Sequence, residues 1–480
     1  VLFNRSTQDV YPLYWQTNDR SQADKISSSF RLPAEVYLPT AAVGQKGTLN
    51  QELQQQISPV STAEEENAPK NAAKPETSES SPSTFSNNLF SAKLKPYLNI
   101  ALPYRSISGY VGEEAKHKWE PLLQMNELSV VPLVWVVRSL SKLLLTLKSD
   151  NQSTTLSLTA AADGLNAADF EQIIDNLAGV ICNCPSNWTE QYRFNIREAL
   201  LTSKLVQHPQ QVFFVEEAIA SLISELDGAA EEKVSFGGKI GINYIKTNEH
   251  QFLGSTLVVN IGAGSTEMTL VDIPEYLHEL THDDFMLHNI DYAGIGIEQD
   301  IVSQLLVSEK WRSLRSSSSE NQTSNSNVKP WRWRSSGSNL EKMRLSSLGL
   351  DNLELPKPGE PDTAVRILLQ RRLESSVLGQ ALLDAAGALK LILQQQESFT
   401  IELADQRWTL NRRDLEAQVF VPFVRRLNRE INRLLVAKGI PTEAINQAIL
   451  TGGVSGLGAV NRWLRQKLPN AKIIQDIHPN

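Results

Sequence analysis

The stretch TLVVNIGAGSTEMTLVDI, Thr256–Ile273, decides how this chain is read. Two runs of β-branched and aliphatic residues, Thr256–Ile261 and Thr266–Ile273, flank the small residues Gly262-Ala263-Gly264-Ser265, a pattern that predicts two strands joined by a hairpin. Small residues at a hairpin tip let backbone N–H groups approach phosphate oxygens, and the Ser265 hydroxyl can add a contact. The same spelling also describes a tight turn with no ligand. The segments on either side of the hairpin decide between the two.

Upstream, Val130–Leu147 and Ala167–Leu177 have helical periodicity, Ala178–Cys184 reads as a strand running into Pro185, and Thr189–Lys204 as a helix. Gln211–Val215 is a short apolar run feeding a helix over Glu217–Leu226, and Lys239–Tyr244 reads as a strand. Downstream, Ala364–Gln396 and Arg412–Lys438 are long helical patterns with a strand pair near Phe399–Leu403 and Trp408–Leu410 between them. The chain closes with a strand Ala448–Leu450, the turn Thr451-Gly452-Gly453 and a helix Ala459–Leu468. This alternation predicts an α/β fold with mixed sheets. Two stretches break it. Thr48–Asn88 and Ser313–Ser338 are too polar to offset their own ordering entropy and read as disordered insertions. Trp331-Arg332-Trp333-Arg334, inside the second, reads as a solvated loop, with an anionic or membrane-surface contact as the alternative.

The 480 residues carry 46 Lys+Arg against 54 Asp+Glu, a formal charge of −8, which argues against a nucleic-acid partner. The length suits about three units, or two larger lobes with insertions. Cys182 and Cys184, the two cysteines, lie in an apolar run and read as a buried reduced pair. Val130–Leu147 is interrupted by Arg138 and Lys142 and falls short of the ~18 consecutive apolar residues of a membrane span. No signal peptide is visible, and a cytoplasmic location is expected.

Three further motifs bear on chemistry. Ala448-Ile449-Leu450-Thr451-Gly452-Gly453-Val454-Ser455-Gly456-Leu457 delivers two glycines from a strand to a helix, a turn that can hold a ligand against open backbone or simply pack closely. Phe214-Val215-Glu216-Glu217-Ala218 ends a strand on acids and opens an alanine-rich helix, where a carboxylate suits the helix dipole or can orient a water. His278-Glu279-Leu280-Thr281-His282 spells H-E-x-x-H, which on a helix would put both imidazoles on one face for zinc hydrolysis. Its setting is poor for a helix: Pro274 precedes it and an alternating, strand-like FMLHNIDY follows.

In this order and context the glycine and acid motifs resemble the nucleotide-binding domain of the heat-shock-protein-70 chaperones (DnaK type), within the actin-like ATPase superfamily. Val215-Glu216-Glu217-Ala218-Ile219-Ala220 is similar to the family's N-E-P-T-A-A segment, and Asn260–Glu267 to its second phosphate motif, D-[LI]-G-G-G-T-x-D. Ala293-Gly294-Ile295-Gly296-Ile297-Glu298 is similar to G-G-x-x-h-D, and Thr451–Leu457 to the adenosine motif V-G-G-S-[ST]-R-[IL]. The resemblance runs from about Leu94 to the C-terminus, the Ser-rich insert excepted. It implies an actin-like (ribonuclease H-like) two-lobed ATPase fold with a nucleotide cleft: lobe I over 1–234 with its insertion near 48–90, lobe II over 235–480 with the Ser-rich insertion near 313–338.

It further implies that the chain binds ATP or ADP with magnesium and serves a chaperone-related role toward protein clients or co-chaperones. Glu216 and Asn260 then fall on catalytic positions, Gly262, Ala263, Gly264, Ser265 and Gly294 on phosphate-holding ones, and Lys390, Gly452, Gly453, Val454 and Ser455 on the nucleoside side. No residues are assigned as protein ligands of a metal. Departures predict weak or absent hydrolysis: the family aspartate that coordinates the magnesium-bound water cluster is Asn260, a neutral amide, while Glu267 keeps the charge of the second aspartate. On the adenine side Gly387, Leu391 and Gly456 replace family residues, and Lys390 alone is kept. The resemblance calls for a D-x-G-T-[ST] loop, which does not occur in this sequence and is expected to be either trimmed or lost, and the residues that follow Gly458 here are too few for the family's peptide-binding domain. A degenerate actin-like scaffold that binds a protein partner and no nucleotide is the second expectation, and the zinc hydrolase the third.

Overall fold

The computed structural model describes residues 1–7, 9–17, 27–30, 32, 34–39, 41–42, 89–98, 102–106, 118–124, 129–148, 158–229, 253–276, 279–314, 331–332 and 343–475. The expected insertion at Thr48–Asn88, the strand at Lys239–Tyr244, the lobe boundary at Val234 and most of the Ser-rich insertion lie outside these residues. By packing the chain divides into two units, Val1–Ala178 with Phe194–Pro209, and Gly179–Arg193 with Gln210–Asn480.

In the first unit Leu13–Thr17 pairs antiparallel with both Leu158–Ala162 and Ser27–Ser29. A four-stranded sheet runs in the order Ala41–Ala42, Ser129–Pro132, Lys118–Gln124, Leu102–Ser106. The apolar run expected as one helix from Val130 is therefore divided: its first residues form a strand, and the helix is Leu133–Leu145. Pro132 accounts for the break, since it lacks an N–H and serves as the helix N-cap in extended conformation.

The second unit holds the sequence motifs, and its elements are numbered here. They are β1 (Val180–Cys184), α1 (Glu190–Thr202, shared with the first unit), β2 (Val212–Glu216), α2 (Glu217–Ala229), β3 (Gly254–Ile261), β4 (Thr266–Ile273), β5 (Met286–Ile290) and α3 (Gly294–Ile301). There follow β6 (Arg312–Leu314), β7 (Trp331–Arg332), α4 (Thr363–Glu374), α5 (Val377–Gln395), β8 (Ser398–Leu403), β9 (Gln406–Asn411), α6 (Val421–Lys438), β10 (Gln447–Thr451), α7 (Gly458–Lys467) and β11 (Lys472–Gln475).

The predicted hairpin is the centre of a mixed five-stranded sheet in the order β5-β4-β3-β10-β11. β3 pairs antiparallel with β4 and parallel with β10, β4 antiparallel with β5, and β10 parallel with β11. Both faces of the sheet are covered, which is why β3 and β4 read as near-continuous apolar runs. Leu257, Val259, Ile261, Met268 and Leu270 pack with helices α3, α5, α6 and α7, whereas Val258, Val271, Ile273 and Ile449 meet Ala218 and Leu222 of α2. This is a helix–sheet–helix sandwich, the α/β arrangement that the alternation predicted.

The long pattern Ala364–Gln396 is two helices. Ser376 caps α5 by accepting the N–H of Gly379 at 3.0 Å, and a Cβ on Gly379 would lie 2.1 Å from the carbonyl oxygen of Leu373, so the junction is packed backbone to backbone. Helix α5 has 19 residues and is apolar enough to cross a membrane by length and composition. Its buried Leu378, Ala381, Leu382, Ala385, Ala386, Leu389 and Leu393 lie in the core of the unit, which accounts for that apolarity. A second sheet, β6-β9-β8-β7, takes in parts of the Ser-rich stretch, correcting the expectation of disorder at Ser313, Leu314, Trp331 and Arg332. Two π-helical turns, Val302–Leu306 after α3 and Glu416–Phe420 before α6, pack against one another.

Candidate functional site

Three of the glycine motifs come together at the carboxyl ends of β3 and β10. Asn260 is the register partner of Thr451 on one side and of Glu267 on the other. At the hairpin tip the N–H of Gly262 donates to the carbonyl of Ser265 at 3.0 Å. The tip in turn receives α3: the N–H groups of Gly294 and Ile295 donate to the carbonyls of Gly262 (3.2 Å) and Ala263 (2.7 Å). From the other side the N–H of Val454 donates to the carbonyl of Ile261 at 3.1 Å. The sequence-predicted Gly262, Ala263, Gly294, Gly452 and Val454 thus share one backbone cluster.

The glycines there differ in why they are needed. Gly452 has φ +93°, and a Cβ on it would sit 2.4 Å from both Asn260 Oδ1 and the Ile261 carbonyl oxygen, so the fold itself requires glycine. Gly294 is similarly enclosed, 3.0 Å from Val454 Cγ2 at its would-be Cβ. Gly264 and Gly453 have ordinary negative-φ backbone and nothing within 4 Å of the would-be Cβ; both are exposed. Neither conformation nor packing within the described residues demands glycine at these two positions. A side chain there would occupy the space outside the turn.

The acids are held differently from what a cation site needs. Glu267, 1% exposed, accepts the N–H of Ser186 and, at 2.9 Å, the N–H of Ala218 in the first turn of α2; Asn289 Nδ2 lies 3.5 Å away. Burial pushes its carboxyl above the ordinary range, Glu217 adds to the rise, and the two backbone donors oppose it. Asn260 points its amide nitrogen at Ser221 Oγ, 3.5 Å away. Glu216 lies 3.5 Å from His282 Nε2 and 3.9 Å from Arg193 Nη2. Two of the three acid positions therefore face donors already present and the third is an amide, a set that does not fit a hard divalent cation.

Lys390 does not stand near an open turn as a free cation; its Nζ is 2.6 Å from Glu298 Oε1 on α3, and Gly387 leaves room for that carboxylate. Ser455 is fully buried, with its N–H donating to the Gly452 carbonyl, its carbonyl accepting from Gln475 Nε2, and its hydroxyl pairing with nothing among the described residues. The H-E-x-x-H segment is not one helix face: Leu280 and Thr281 are non-helical, His282 opens a three-residue turn, and His278 lies outside the described residues. Among the described residues no group of three or more potential metal-binding side chains occurs. Cys184 is buried beside Arg193, and burial pushes the half-buried Cys182 thiol up to about 11, so both are poor nucleophiles.

Sequence reasoning missed the support beneath α3. Arg366, 5% exposed, donates to the carbonyls of Gly296, Lys357 and Glu360, to Gln299 Oε1 and, at 2.9 Å, to Asp300 Oδ1. Asp300 also accepts from Tyr292 Oη (2.7 Å) and the Gly359 N–H (2.8 Å). An arginine within the helical pattern VRILLQRRL carries no mark that distinguishes it from the half-buried Arg371 or the exposed Arg372 of the same helix. A cavity of about 360 Å³ lined by Glu309, Arg312, Leu345, Asp405 and Gln406 is formed by other residues than these motifs. No family model and no curated protein matches this chain.

Proposed function

We propose that the second unit is one lobe of an actin-like, heat-shock-protein-70-like nucleotide-binding fold, and that the exposed turn at Gly264 receives the phosphates of ATP or ADP and the exposed turn at Gly453 its nucleoside. The carrying observation is that these two glycines are needed neither for backbone conformation nor for packing, so their missing side chains leave open backbone for a ligand. Topology supports the position. β3 and β10 are adjacent and parallel, and the chain leaves them in opposite directions, β3 toward β4 and β10 toward β11. That is a switch point, outside whose carboxyl ends open α/β sheets bind ligands. The mixed sheet with a hairpin on one side and parallel strands on the other is also what the resemblance to a ribonuclease H-like lobe calls for.

On this reading hydrolysis is weak or absent. Asn260 supplies no charge and Glu267 is committed to two N–H groups, so neither offers magnesium the free carboxylate of the family pattern, and no step is assigned to it. Glu216, beside Arg193 and His282, is the position that the resemblance gives for orienting a water, and Glu217 lies at the same tip, its Oε2 3.8 Å from where a Cβ on Gly262 would sit. Isothermal titration with ATP and ADP, with and without magnesium, tests the proposal. Micromolar binding that is lost in both Gly264→Val and Gly453→Val, with folding intact, is the expected result; no binding by the unaltered chain would sink it. That outcome would leave the scaffold reading, which the neutralised Lys390–Glu298 pair favours.

A further inference from the structure

Helices α6 and α7 lie side by side and turn a basic surface outward from a chain whose net charge is −8. On α6 the exposed Arg425, Arg429 and Arg433 recur at every fourth residue, with exposed Asn432 and Val436 on the same stripe. Lys467 of α7 reaches this stripe, its Nζ 2.5 Å from Asn432 Oδ1, and Arg462 and Arg465 are exposed on α7 beside it. Carboxylates compensate part of this charge. Arg429 pairs with Glu360, Arg433 with the buried Glu430 at 2.7 Å, and Arg462 with Glu416 at 2.8 Å. Arg465 and Lys467 reach only amide oxygens, of Asn461 and Asn432, and Arg425 has no partner among the described residues. Among the described residues Arg425, Arg465 and Lys467 are thus left without a counter-charge.

We infer that this face is a docking surface for an acidic protein segment, one rich in Asp and Glu carboxylates. Charge complementarity carries the choice of occupant. Arginines repeat roughly every 6 Å along α6, from four residues at 1.5 Å rise; Arg429 and Arg433 share theirs with Glu360 and Glu430, and the uncompensated charge is that of Arg425 with Arg465 and Lys467 of α7. Carboxylates on alternate residues of an extended chain repeat at about 6.8 Å and meet that spacing, each able to take a two-pronged arginine contact. A lipid surface is disfavoured, because the exposed apolar side chains on α6 are limited to Val421 and Val436 near its two ends. A nucleic acid is disfavoured as well: the patch carries no exposed aromatic side chain on which a base would stack, and the rest of the chain is acidic.

The test is fluorescence anisotropy of a labelled twenty-residue poly-glutamate peptide titrated with the whole chain at low and physiological salt. Saturable binding that weakens with salt is expected, and Arg425→Glu with Arg465→Glu should weaken it about tenfold or more without a change in melting temperature. Arg425→Gln with Arg465→Gln should fall between, and Lys310→Glu, off this face, should leave binding unchanged. Absence of binding, or equal affinity in the double charge reversal, overturns the inference. So does tighter binding to phosphatidylserine vesicles or to a single-stranded oligonucleotide than to the peptide.

Discussion

Removing Arg366 should cost this protein more than removing any exposed arginine, and the arrangement around it sets the size. Replacing it by methionine keeps much of the stem volume but leaves Asp300, wholly buried, without its cation. Truncating one partner of a buried ion pair costs about 3–5 kcal/mol, because the other charge stays buried and uncompensated. Tyr292 and the Gly359 N–H still donate to Asp300, which places the expected loss near the lower end, about 3 kcal/mol. Urea unfolding followed by fluorescence of the buried Trp408 is the assay, and with m of about 2–3 kcal/mol/M the midpoint should fall by about 1–1.5 M. The loss should depend on pH with a definite sign. Burial already raises the Asp300 carboxyl above its ordinary value, Arg366 opposing the rise. A carboxyl whose folded pKa is raised contributes stability that is present below its unfolded pKa and is lost as pH rises through the folded one. Without Arg366 that pKa rises further, so the variant's deficit should be smaller near pH 4 than at pH 8. A loss below about 1 kcal/mol, or one that grows toward acid, would refute the reasoning.

Gly452→Ala and Gly453→Ala should separate stability from binding: the first, at φ +93° against Asn260 and Ile261, should cost about 2 kcal/mol or more, while the second should leave the urea midpoint within error and still weaken nucleotide in titration. Glu267→Ala leaves the N–H groups of Ser186 and Ala218 without their acceptor and should lower stability by about 1–3 kcal/mol. Because burial raises the Glu267 carboxyl, its contribution in the unaltered chain is largest below the unfolded carboxylate pKa and declines as pH rises through the folded value, so the variant's deficit should shrink from pH 4 to pH 8 in paired melts. Asn260→Asp tests the origin of weak hydrolysis: a magnesium-dependent rise in phosphate release would place the defect at this one amide, and no change would place it in the committed Glu267 and Glu216.

The hairpin Thr256–Ile273 was legible because both its strands are buried on two faces and its tip is not, so composition switches sharply at Gly262 and again at Thr266. The closing strand was legible for the same reason, and the helix after it by the four-residue spacing of its buried Val460 and Leu464. Helix ends were harder. Apolar periodicity runs through Ser375-Ser376 without a skip, and the break shows only in Ser376 turning its hydroxyl to Gly379. The strand start at Ser129–Pro132 hid inside an apolar run whose period is too short to tell strand from helix. At the site, sequence placed the glycines together but not their reasons: Gly452 serves the fold, Gly453 does not, and only positions of neighbouring atoms tell them apart. Partners such as Glu298 for Lys390, 92 residues away, leave no trace in local spacing.

The abutting wide turns Val302–Leu306 and Glu416–Phe420 are the places in two long helical stretches where length can change at least cost. Each accommodates one surplus residue, the usual signature of a π-bulge. Excising a residue from Val302–Leu306 would tighten that stretch to regular α with the residues after it still in phase, whereas excising one from a regular turn of α3 would swing everything after it by about 100° about the axis. In the first case Val307 and Trp311 keep the positions from which they pack on the core. Single-residue deletions should therefore be tolerated better at these two turns than in the regular helix beside them.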